Sequence, residues 1–135
     1  MISLYEAFLD SSSDIGNDEQ VQELHKQINQ IRNTPSTSDT NDGCWRSKHK
    51  YTNIDWLLKE ITSKVFSAIN YYSSKDEVFS NAFKQINNQA LKIHYWTNIN
   101  QPGTRNVMHS HKSAIFSGVY YLQGTNAGSL RIINP

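Results

Sequence analysis

The hydrophobic period of this 135-residue chain changes once, near Asn88. Before that point apolar residues recur at helical spacing, and after it they alternate with polar ones, as in a strand. The change constrains the fold because helices and strands each bury one face and must find a matching layer to bury it against. The order read from the sequence is helices first, then antiparallel strands: an α+β chain.

Three helices are predicted. In "NDEQVQELHKQINQIRN", Val21, Leu24, Ile28 and Ile31 share a face behind the acidic first-turn residues Asp18 and Glu19, which predicts a helix over 18–32. "TPSTSDTNDG", with Pro35, reads as a loop. In "NIDWLLKEITSKVFSAINYY", Ile54, Leu57, Leu58, Ile61, Val65 and Ile69 form one apolar face, with Asn53 available as a cap. "SSKDEVFSNAFKQINN" predicts a shorter helix capped by Ser74, with Asp76 and Glu77 in its first turn and Phe79, Phe83 and Ile86 facing inward.

At least four strands follow. "ALKIHYWTNIN" sets Leu91, Ile93, Tyr95, Thr97 and Ile99 on one face and Lys92, His94 and Trp96 on the other, with Trp96 assigned to the core. "QPG" at 101–103 is a turn signal. Further strands are predicted over 105–111 and 114–122, then a turn at "GTNAG" and a strand in "SLRIINP". The far edge of that last strand has no evident partner and so invites pairing with another chain, as in a homodimer through an open sheet edge; either the domain closes differently or it is an incomplete piece of a larger one.

A net charge of +1 implies no broad attraction to nucleic acid or anionic lipid, so binding either would need a local patch. No apolar run approaches the roughly 20 residues of a membrane helix. The acidic start "MISLYEAFLDSSSD" lacks the basic region of a secretory signal, so a soluble, intracellular protein is expected. Cys44 is the only cysteine, which excludes an internal disulfide and multi-thiolate clusters; any metal site must draw on His, Asp or Glu.

In "NVMHSHKSAIFSGVYYLQ", His109 and His111 stand two apart, and in an extended segment both rings point to one face. Two imidazoles suit iron, zinc, copper or nickel and leave coordination positions for other ligands. The alternative is two partly exposed polar side chains beside a turn. If the flanking segments form a hairpin centred between Gln101 and Pro102, His94 falls opposite His109, and His94, His109 and His111 become a cupin-like three-histidine set.

The stretch "HYWTNINQPGTRNVMHSHKSAIFSGVYYLQGTNAGSLRIINP" resembles the iron(II)/2-oxoglutarate-dependent oxygenases of marine bacteria and tailed phages. It shares with them, in order, a tryptophan strand, a glycine turn, His-x-His, Ser-Gly-Val-Tyr-Tyr-Leu, a second glycine turn and a strand ending near proline. "GCWRSKH" resembles their Gly-x-Trp-x-Ser element, and the stretch is more distantly similar to prolyl hydroxylases.

The resemblance implies a single domain over 1–135: amino-terminal helices (1–88) packed on the first part (89–135) of an antiparallel double-stranded β-helix of jelly-roll or cupin type. It also implies Fe(II) held by His109 and His111, with 2-oxoglutarate as cosubstrate. Tyr121 would donate to the distal carboxylate of the cosubstrate and Arg131 would neutralise it; the other reading is packing for Tyr121 and a solvated side chain for Arg131. His111 stands where prolyl hydroxylases place a carboxylate, and no Asp or Glu follows Glu77. The family's distal histidine and arginine would lie beyond Pro135. An oxygenase acting on an unknown substrate in the cytoplasm (of a bacterial host, if phage-encoded) is therefore expected, with a non-catalytic, truncated scaffold as the alternative.

Overall fold

A computed structural model describes residues 15–37, 41–86, 92–111 and 114–123. Three helices and four short strands make it a mixed α+β chain: α1 (Asp18–Ile31), β1 (Asn41–Asp42), β2 (Trp45–Ser47), α2 (Asp55–Ser73), α3 (Glu77–Ile86), β3 (Thr97–Ile99) and β4 (Arg105–Asn106). None of its helices is long and apolar enough to cross a membrane. The chain divides into two compact units. Among the described residues, one is built on α2 and α3 and takes in Ile15, Gly16 and 121–123; the other is drawn from Asn17–Ile54 and Ile93–Tyr120. The helix-to-strand boundary at Asn88 is thus not the boundary between units, because α1 shares its unit with all four strands.

In the first unit α2 and α3 pack on one another through the face expected for them. Leu57, Ala68, Ile69 and Phe83 are buried, and Phe79 lies 5.7 Å from the Tyr72 ring and 4.6 Å from that of Phe83. Two caps differ from expectation. Ser74 does not start α3: its hydroxyl donates to the Tyr71 carbonyl at 2.6 Å and so closes the end of α2. Asp76 takes the capping role, its Oδ1 accepting the Phe79 N–H at 2.9 Å, which holds the carboxyl below its usual pKa. Asn53 lies two residues before α2 with a left-handed backbone, φ 55°, a conformation asparagine tolerates better than most residues.

In the second unit α1 begins with a reciprocal capping box: Asn17 Oδ1 accepts the Gln20 N–H and Gln20 Oε1 accepts the Asn17 N–H, each at 2.9 Å. Leu24 is the buried residue of its apolar face. Gln27 fastens the helix to the chain ahead of α2: its amide donates to the Thr52 carbonyl at 3.1 Å and accepts the Thr52 N–H at 2.9 Å.

The strand pairing departs from the expected hairpin. The turn at 101–104 forms, with Thr104 N–H donating to the Gln101 carbonyl at 3.0 Å and Gly103 at φ +83°. Its flanks do not pair with each other. β3 pairs antiparallel with β2 (Trp45↔Ile99, Arg46↔Asn98, Ser47↔Thr97), and β4 pairs antiparallel with β1 (Asn41↔Asn106, Asp42↔Arg105). Both therefore run against successive parts of one segment, 41–47, and the register steps by three residues between the two ladders. The proline turn is an excursion within a longer pairing.

The expected strands shrink for the same reason. With 97–106 committed to 41–47, residues 107–111 and 114–123 form no ladder with any described residue and carry no regular secondary structure. The predicted alternation over 114–122 is only partly expressed in burial: Phe116, Tyr120 and Leu122 are half-buried, whereas Ile115 is 56% and Val119 59% exposed. A jelly roll is not formed by the described residues, and "SLRIINP" lies outside them.

Candidate functional site

The two faces of the β2–β3 ladder differ in kind. On one, Tyr51 is buried, its hydroxyl donating to Thr97 Oγ1 at 2.8 Å while its ring stacks on Tyr95 at 6.3 Å. Burial raises the Tyr51 phenol pKa, the Thr97 hydrogen bond opposes that rise and Tyr95 adds to it. This face is structural.

The opposite parity carries Arg46 and, across the ladder, Asn98, with Trp96 one diagonal step further along. The Arg46 guanidinium lies over the Trp96 ring at 4.6 Å. Trp96 in turn meets the His111 ring at 5.4 Å, and His111 meets His109 edge-on, with centroids 4.8 Å apart and an interplanar angle of 87°. One continuous row of planar side chains runs from β2 to the histidine pair. Trp96 is not the core residue expected of it; it is half-buried under an arginine.

His109 is oriented by its own backbone, since Nδ1 lies 2.7 Å from the Val107 carbonyl oxygen. A carbonyl only accepts, so Nδ1 carries the proton and Nε2 of the neutral ring keeps its lone pair. Metal-binding histidines are commonly set in this way, with the distal nitrogen engaged by a carbonyl or carboxylate. Both rings are exposed. The pair suits a divalent transition metal as two of its ligands, leaving the remaining positions to a chelating small molecule, water or residues outside those described.

Among the described residues no group of three or more His, Cys, Asp or Glu is placed to hold a metal ion, so His94 does not complete a three-histidine set. The reason is register: the pairing that would set His94 opposite His109 is replaced by pairing with 41–47. Tyr121 is 55% exposed and belongs to the other unit, whereas Tyr120 is half-buried and its phenol is pushed up by burial. Arg131 lies outside the described residues.

Arg46 is the member of the row that sequence reading missed. Its alternation with Trp45 and Ser47 marks a strand, but its meeting with Trp96 depends on a register between segments 50 residues apart in sequence. Compared with known proteins, the chain matches no family model, no curated protein and no solved structure.

Proposed function

We propose that this chain belongs to an iron(II)/2-oxoglutarate-dependent dioxygenase that hydroxylates a substrate still to be identified, with His109 and His111 as iron ligands on a jelly-roll scaffold and with a cytoplasmic setting. The observation that carries the reading is the histidine pair: adjacent exposed rings, one held through Nδ1 by the Val107 carbonyl so that Nε2 of the neutral ring keeps its lone pair for a metal. The ordered run of motifs from Gly43 to Pro135 supports it independently. Iron(II), when bound, would let dioxygen act as the oxidant in C–H hydroxylation, with 2-oxoglutarate supplying two of the four electrons and the C–H bond the other two. The chain's own residues hold and orient: the Val107 carbonyl fixes the His109 ring, Trp96 braces His111, and Tyr121 and Arg131 are assigned to the cosubstrate carboxylate.

The test is anaerobic titration of the protein with iron(II) and 2-oxoglutarate, read by the weak visible charge-transfer absorption of the chelate. The band is expected in the native chain and absent from a His109→Ala, His111→Ala double variant. Equal absorption in both, or none in the native protein, overturns the assignment.

A second reading is favoured by the exposed apolar side chains Val107, Met108, Ile115 and Val119: a non-catalytic scaffold that gains strand partners from a second copy or another protein. It predicts metal content unaffected by the double substitution.

A further inference from the structure

The nearly neutral composition leaves polyanion binding to a local patch, and the second unit carries one. Arg46 is the middle residue of β2, and Lys48 and Lys50 follow it in the exposed 48–50 segment between β2 and the buried Tyr51. The side of the ladder on which the first of these cations lies is fixed by its stack on Trp96. Lys48 and Lys50 are exposed, with no ion pair among the described residues. Among the described residues of the same unit, the acidic side chains are Asp18, Glu19 and Glu23 on α1, and Asp42, which pairs with Arg105 at 3.3 Å. Past Glu77 no Asp or Glu occurs, so the Trp96 strand and the histidine segment contribute only neutral or cationic groups.

We infer that this face binds single-stranded nucleic acid. A cationic row that follows a sugar-phosphate backbone, flanked by planar rings on which bases stack, is what sequence-tolerant single-strand binding requires. The lysines supply the first element, and the exposed rings of His109 and His111 the second. An acidic peptide would engage the lysines alone and leave the rings without a role. The surface needs neither iron nor cosubstrate and so goes beyond the dioxygenase reading, although it would deliver a strand to the histidine pair.

The experiment uses the full chain with a chelator present, so that its failure says nothing about iron binding. Fluorescence anisotropy of a labelled oligothymidylate is followed between about 20 and 200 mM salt; three neutralised phosphates give a slope near −2 in log Kobs against log salt. A Lys48→Glu, Lys50→Glu variant should bind at least about ten-fold more weakly with an unchanged circular dichroism spectrum, whereas Lys59→Glu on α2 should bind as the native chain does. Absence of binding at the lowest salt, native-like binding by the double variant, or displacement of the oligonucleotide by polyglutamate of matched charge would each overturn the inference.

Discussion

Tyr51 shows how much one hydroxyl can hold. At 8% exposure its ring is core, yet its O–H needs a partner and finds Thr97 on β3. Tyr51→Phe removes that hydrogen bond and should cost about 1 kcal/mol in urea denaturation; no measurable loss would show that the bond is not formed in solution. The sign of the pH effect follows from the raised phenol pKa. The folded state prefers the neutral ring, so this contribution is fully present below the ordinary tyrosine value of about 10 and is lost as pH rises through the folded value. Ultraviolet difference titration should find Tyr51 among the late-ionising phenols, a component that the Phe variant lacks. Gly16 is a second sensitive position. It sits at φ +84°, and an added Cβ would come within 2.5 Å of the Trp56 indole, so Gly16→Ala should destabilise by about 1–3 kcal/mol, read as a lowered melting temperature. The histidine pair was legible at this scale because i, i+2 parity is local. Arg46 was not, since nothing near it in sequence names its stacking partner.

At the scale of elements, the helices followed from sequence, whereas of the strands only the short β3 and β4 did, and not their partners. A helix closes its hydrogen bonds within itself, so the period of Val21, Leu24, Ile28 and Ile31 needs no distant information. A strand is defined by its neighbour. "QPG" carried a correct turn signal, but the turn alone could not reveal that β3 and β4 pair with 41–47 rather than with each other. Caps fall between these cases. Ser74 and Asp76 are both good capping residues two positions apart, and main-chain geometry at the end of α2 decides between them. Because the folded Asp76 carboxyl is held low by the Phe79 N–H, its support of α3 is fully present above the usual Asp value of about 3.9 and is lost as pH falls through the depressed folded value. Asp76→Asn keeps an acceptor without the titration. In acid, circular dichroism should show the native chain losing more helical signal than the Asn variant; parallel losses would exclude the cap as the cause.

For the molecule as a whole, order is uneven. The β2–β3 ladder is supported on its other side by the 34–37 segment, with Thr37 N–H donating to the Arg46 carbonyl at 2.9 Å and the Trp45 indole donating to the Thr34 carbonyl at 2.8 Å. Residues 107–111 and 114–123 form no ladder with any described residue. Hydrogen exchange should therefore show protected amides at 45–47 and 97–99 and rapid exchange over 107–111 and 114–123. Protection that appears in the second group only with iron and 2-oxoglutarate would tie ordering to the proposed site. The register step opposite Gly43 has a practical corollary. Residues 100–104 leave the ribbon and rejoin it, so a short tag or fluorophore spliced at Pro102–Gly103 would lengthen a detour without shifting either ladder, giving an optical handle close to the arginine-tryptophan stack.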